Sequence, residues 1–210
     1  MQNQLTQTEL YATLTGIATA TLIISNILAY KTFTFYDIIL PCAVLIFPII
    51  YIVNDILAEI YGFRKAWKVI YLGFIMNLVA VIVYNIAIIL PAPLFFEGSE
   101  AFRMVLSNSF RVLLASFIAY LLGSILNAYV MVKLKQKASK YLFVRCIVST
   151  IMGEGLDAIL FITIAFIGTM PVGALIIMIL SQAIFKTVYE IILYPITKIV
   201  INYIKKLPVR

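Results

Sequence analysis

The chain has 210 residues, of which 64% are hydrophobic and 12% charged, with a net charge of +7 and no histidine. A soluble domain carries about 25% charged residues, so this composition excludes an ordinary soluble protein and leaves an integral membrane protein with little room for a soluble domain. The positive charge is not a nucleic-acid signal, because the cations sit in short loops beside apolar runs, the pattern that sets membrane topology. The lack of histidine removes the usual proton shuttle, so any coupled proton would have to ride on a carboxylate. Cys42 and Cys146 lie in or beside apolar segments. Neither a disulfide nor a metal site is expected from them, and no cofactor is expected.

In chain order, residues 1–9 are polar and lack the cations of a signal peptide, so the first apolar run, residues 10–30, reads as a membrane helix that is retained. It is rich in small residues, which allow close helix approach in lipid, and carries one strongly polar group, Asn26. In the link that follows, Thr32-Phe33-Thr34-Phe35 alternates as an extended segment does. The second run, residues 38–53, contains Pro41, suited to a helix start, and Pro48, which predicts a kink or break. A broken helix at membrane depth frees backbone groups for a substrate.

The third run covers residues 67–90 and ends at Pro91-Ala92-Pro93. Residues 101–106 suggest a short amphipathic piece. The fourth run, residues 109–132, carries Ser116, Tyr120, Gly123 and Asn127 on one stripe, with Arg111 near its start. A lysine-rich loop leads to the fifth run, residues 142–167, which holds Glu154 and Asp157. After a turn at Gly168, the sixth run, residues 172–204, places Gln182, Lys186 and Glu190 on one face at four-residue steps, with Pro195 predicted to kink its later part.

These segments predict an all-α membrane protein, a six-helix transmembrane bundle with kinked or broken second and sixth helices, forming one domain over residues 1–210. Arg64, Lys65 and Lys68, the lysine cluster and the C-terminal cations fall on one side of six spans, so both termini are expected to be cytoplasmic.

The ionisable groups inside these runs are the functional candidates. By helix rise, Glu154 and Asp157 lie roughly 14–18 Å into a core of about 30 Å, and Lys186 roughly 20 Å from the outer turn. An unpaired charge there costs at least about 2.5 kcal/mol. A fixed ion pair between Lys186 and one acid would lock two helices and leave another acid alone; a polar cavity accounts for all three. Asp55 and Glu59 share a face at the end of the second run, where anions oppose the helix dipole. The bland alternative for them is a solvated helix end beside Arg64 and Lys65. Glu190 reads as interfacial, Arg111 as an interface or outer-cavity residue, and the Ser116–Asn127 stripe as helix packing or ligand contact. No Ser–His, His-Glu-x-x-His or Gly-x-Ser-x-Gly arrangement is present, which argues against an enzyme.

The stretch Asn54-Asp55-Ile56-Leu57-Ala58-Glu59-Ile60-Tyr61-Gly62 resembles a hallmark of the queuosine precursor transporter family, bacterial integral membrane proteins once grouped with vitamin uptake transporters. Gly153-Glu154-Gly155-Leu156-Asp157, followed by Phe161-Ile162-Thr163-Ile164-Ala165-Phe166, resembles its second hallmark. Ser25-Asn26, Arg111 with Ala115-Ser116-Phe117, and Phe185-Lys186 with Pro195 match further positions, so the resemblance runs nearly end to end. It implies uptake of 7-cyano- or 7-aminomethyl-7-deazaguanine, or queuine, for tRNA modification, by a transporter of the bacterial cytoplasmic membrane acting alone or as a homodimer, without direct nucleic-acid binding. The alternative is the substrate-binding membrane subunit of an importer driven by separate coupling ATPases. The implied substrate residues are Asn26, Asp55, Glu59, Arg111, Ser116, Glu154, Asp157 and Lys186, and Gln182 joins them as a candidate because it shares the helix face of Lys186. Family members vary at the positions of Glu59, which can be basic, and Glu154, which can be an amide, so Asp55, Asp157 and Lys186 lead.

Overall fold

The computed structural model describes residues 6–29, 31–35, 38–93, 95–107, 110–137, 139–169 and 171–208. It is helical almost throughout. Helix α1 spans Gln7–Leu28, α2 Pro48–Tyr61, α3 Phe63–Ile89, α4 Ser99–Leu106, α5 Phe110–Lys137, α6 Leu142–Phe166 and α7 Val172–Ile204. Five of these are long and apolar enough to cross a membrane: α1, α3, Leu114–Lys137 of α5, α6 and α7. Thr6 and Glu9 form a capping box that starts α1, satisfying two of the free N–H groups of its first turn.

The second apolar run, expected as a helix kinked or broken at Pro48, is not α-helical before Pro48. Strand β1, Thr32–Phe35, pairs antiparallel with β2, Ile38–Pro41, and a 3-10 turn follows at Cys42–Leu45. Pro41 therefore ends a strand rather than starting a helix. Pro48 stands at the first position of α2, where its missing N–H costs nothing, rather than inside a longer helix. Pro195 does lie inside α7, which continues unbroken past it. Gly62, with φ 78°, takes the left-handed conformation that only glycine adopts cheaply, and this one residue separates α2 from α3. Tyr30 and Ser109, which the sequence reading placed at the ends of helices, lie outside the described residues.

The bundle buries charged and polar groups beside an apolar core, and its outer surface is apolar. Ile82, Val83 and Ile86 of α3 and Ile177, Ile184, Ile192 and Ile199 of α7 are exposed, as suits lipid. Helix α2 is buried along nearly its whole length and packs against α1, α3, α5 and α7. The most extensive helix contact is α5 against α6. It depends on two glycines: a Cβ on Gly123 would stand 2.8 Å from the Gly153 carbonyl oxygen, and a Cβ on Gly153 would stand 2.6 Å from Asn127 Cβ. Small residues at such a crossing let the backbones touch.

The two described chain ends meet. Gln7 N–H donates to the Pro208 carbonyl at 3.2 Å, and Tyr61 Oη donates to the Gln7 carbonyl at 2.7 Å. The start of α1, the α2–α3 junction and the end of α7 thus share one end of the bundle.

Candidate functional site

The site follows from how α6 and α7 face each other beside α1, α2 and α5. Asp157 of α6 accepts a 2.8 Å hydrogen bond from Lys186 Nζ of α7, and both side chains are buried. The ammonium also lies 4.2 Å from the Phe47 ring centroid and 5.8 Å from that of Tyr51, within range of a cation–π attraction. Phe47 sits just before α2, where the proline break turns the chain.

Beside this pair opens a narrow cavity of about 50 Å³, walled by Asn26, Phe47, Ser116, Phe161, Gln182 and the Asp157–Lys186 pair. Ser116 Oγ donates to Asn26 Oδ1 at 3.0 Å, which leaves the Asn26 amide nitrogen free. Asn26 Nδ2 and Gln182 Oε1 are buried with no hydrogen-bond partner. An orphaned buried donor or acceptor costs about 1–3 kcal/mol, so the cavity wall offers a donor and an acceptor in want of a partner.

Of the nine residues expected at the site, Asn26, Ser116, Asp157, Gln182 and Lys186 line the cavity. The other four lie elsewhere. Asp55 is buried on α2, where its Oδ1 accepts from Asn127 Nδ2 at 2.8 Å and from Ser149 Oγ at 3.3 Å. Glu154 is buried with neither carboxylate oxygen bonded. Arg111 caps the far end of α6, donating through Nε to the Ile164 carbonyl at 2.6 Å and through Nη2 to that of Ile167 at 2.5 Å. These are carbonyls that a helix C-terminus leaves unbonded.

Glu59 is the fourth. Its carboxylate accepts from Arg145 Nη1 at 2.5 Å and Lys205 Nζ at 2.8 Å, and Lys135 Nζ stands 3.6 Å away; Lys135 also donates to the Glu59 carbonyl. One acid thereby ties together the ends of α2, α5 and α7 and the start of α6. The solvated helix end weighed for Glu59 is not what the structure holds, since the side chain is 2% exposed and its partners are Arg145, Lys205 and Lys135 rather than Arg64 or Lys65.

Glu190 likewise is not interfacial: it is buried beside Asp55. Phe161, part of the second motif, was not expected at the site, and Phe47 was not singled out at all. Phe161 stands four residues after Asp157 and so on the same helix face, a signal that was available; Phe47 comes to Lys186 only through the tertiary fold.

Comparison with known proteins bears on this arrangement. Residues 41–200 match the family model described as "Putative vitamin uptake transporter". The chain belongs to the vitamin uptake transporter family. A Haemophilus influenzae protein named "Probable queuosine precursor transporter" is 32% identical over 122 residues, 58% of this chain and 50% of that protein. A Bacillus subtilis protein of the same name is 24% identical over 188 residues, 86% of this chain and 78% of that one. The match thus spans half the length of the first relative and most of the second. No solved structure matches. The family assignment agrees with the resemblance drawn from the two acidic motifs, both of which fall inside the matched residues. The ion pair, the cavity and the Glu59 cluster therefore belong to a member of this family that carries five helices long and apolar enough to cross a membrane.

Proposed function

We propose that the protein imports a 7-deazaguanine precursor of queuosine, the 7-cyano or 7-aminomethyl base or queuine, across the bacterial cytoplasmic membrane. The observation that carries this reading is the cavity in which Asp157 and Lys186 stand beside the unpartnered Asn26 Nδ2 and Gln182 Oε1. A guanine edge presents two parallel donors, N1–H and the exocyclic amine, which one carboxylate accepts together. Asp157 takes that edge, Lys186 donates to the ring carbonyl, and the two amides meet the remaining polar atoms. Phe47 and Phe161 offer aromatic faces to a flat base.

A cavity of about 50 Å³ holds a few waters, each needing at least about 10–15 Å³, and not a bicyclic base. Helices must part to admit substrate, as alternating access requires. Glu59 and its three cations are then a latch at the opposite end of the bundle, and Asp55 and Glu154 line the path between.

The same proposal takes the chain as one transmembrane domain of six spans with both described ends in the cytoplasm. The contact of Gln7 with Pro208 supports an even number of crossings, and the five long helices supply an odd one. Helix α2 adds about 21 Å and the 3-10 turn about 8 Å, together close to the roughly 30 Å of a bilayer core. Buried among the other helices, this pair can cross although it is discontinuous. Lys135, Arg145 and Lys205 gather at the end where the termini meet, which supports placing that end inside.

The test is uptake by cells unable to make queuosine. Expression of the protein with an externally supplied precursor is expected to restore tRNA modification. Good expression without restoration would remove the substrate assignment. A second reading, a membrane subunit served by separate coupling ATPases, draws on the vitamin-uptake description of the family; loss of uptake on deleting such ATPases would favour it.

A further inference from the structure

Charge inside the bundle is unevenly matched. Among the described residues the buried acids are Asp55, Glu59, Glu154, Asp157 and Glu190, and the buried cations are Arg145 and Lys186. Arg145 serves Glu59 and Lys186 serves Asp157. Among the described residues no ion pair reaches Asp55, Glu154 or Glu190.

Two of these three meet. A carboxylate oxygen of Asp55, one of Glu190 and the Cys146 sulfur all lie within 4.8 Å of one another. Asp55 is 0% and Glu190 2% exposed. Asp55 Oδ2, both Glu190 oxygens and two buried polar atoms near them, Asn127 Oδ1 and Thr150 Oγ1, make no hydrogen bond of good geometry, the Thr150 hydroxyl being a neighbouring donor that faces Glu190. Asn127 is bonded to Asp55 through its nitrogen, and Thr150 lies beside Glu190.

Two facing carboxylates repel when both are ionised, and each orphaned oxygen adds its own desolvation cost. One proton relieves the repulsion and pairs two of the three orphaned oxygens: the carboxyl that carries it donates an O–H···O bond to the other. We propose that Asp55 and Glu190 form a proton-binding pair, taking up one shared proton from one side of the membrane and releasing it to the other during the transport cycle. The pair is placed to couple. Glu190 stands one turn, about 6 Å along the axis, beyond Lys186 on α7, and Asp55 stands one turn from Tyr51 on one side and from Glu59 on the other. Glu154, between the two sites, interacts electrostatically with Lys186, Asp157, Asp55 and Glu190. The titratable and charged groups around the pair are thus Cys146, Arg145 and Glu154 from α6 and Lys186 and Tyr194 from α7; α5 contributes the non-titrating Asn127. The oxygen donors here are hard, and a single sulfur without histidine is a poor set for a soft metal.

The coupling half of this proposal rests on the transport reading above; the binding half does not. The purified protein in detergent is treated with dicyclohexylcarbodiimide, which attacks protonated carboxyls in apolar surroundings, and the adduct is mapped by mass spectrometry. Labelling is expected at Asp55 or Glu190, lost as pH rises, insensitive to NaCl against choline chloride, and abolished in Asp55→Asn/Glu190→Gln. Infrared difference spectra of wild type against Glu190→Gln are expected to show a protonated-carboxyl C=O band, a readout that does not depend on reagent access. The absence of both signals, protection by sodium alone, or zinc bound stoichiometrically and lost in Cys146→Ser would overturn the pair as a proton site.

In proteoliposomes given labelled 7-cyano-7-deazaguanine, an inward proton gradient is expected to speed uptake, and Glu190→Gln is expected to lose that response. A labelled pair with no uptake under any gradient sinks the substrate assignment and leaves the proton site. Uptake indifferent to the gradient, with no labelling, does the reverse.

Discussion

Two acidic centres lie in the same bundle, and they are built on opposite terms. Glu59 has more cations than it needs, with Arg145 at 2.5 Å, Lys205 at 2.8 Å and Lys135 at 3.6 Å. The Asp157–Lys186 centre has one acid and one cation, flanked by a cavity and by buried polar atoms without partners. Surplus charge pairing at a helix junction makes a fixed structure, since removing any one partner leaves others. A bare pair with orphaned neighbours is a place that another molecule can complete. The difference is one of saturation rather than residue type, and it separates the proposed latch from the proposed binding site.

The comparison breaks most visibly at its structural half. Arg145→Met removes the buried partner of Glu59, and breaking a buried pair costs about 3–5 kcal/mol; with Lys205 and Lys135 remaining, a loss near about 3 kcal/mol is expected, read as thermal unfolding in detergent. At the other centre, Asp157→Asn is expected to lower uptake by about 10- to 100-fold while the protein stays monodisperse, because a hydrogen bond to a charged group is worth about 1.5–3 kcal/mol. A variant that loses stability and keeps its uptake would make the Asp157–Lys186 pair a lock like Glu59.

Gly153→Ala probes the crossing that holds both centres in register. Its new methyl would meet Asn127 Cβ and the Gly123 carbonyl, and overpacking of this kind costs about 1–3 kcal/mol, measurable as a lower unfolding temperature. The smallest effect is expected at Lys205→Met. That lysine is half exposed, and an exposed ion pair is worth at most about 1 kcal/mol; a larger loss would show that the latch depends on each cation.

The helices were legible where the apolar run was long and uninterrupted. Residues 67–90, 142–167 and 172–204 read as helices and are helices, because lipid demands that every backbone group bond within its own segment. The run over residues 38–53 reads as a helix kinked or broken at Pro48, and its part before Pro48 is not α-helical, since hydropathy reports burial and not conformation. A hairpin, a 3-10 turn and a buried helix share its apolar composition. Only the packing of α2 among four other helices shows that it is buried along nearly its whole length.

The sequence by itself determined the membrane class, the two acidic motifs, the family they belong to and the four-residue ladder of Gln182, Lys186 and Glu190, all of which depend on local composition and helical period. It could not decide which ionisable groups meet. Asp157 goes to Lys186, Glu59 to Arg145, and Asp55 to Glu190, across separations of 29, 86 and, for the last pair, α2 against α7. Those pairings are set by the close α5–α6 crossing at Gly123 and Gly153 and by the break at Pro48. Both features are visible as residues, but they act only once the helices are packed.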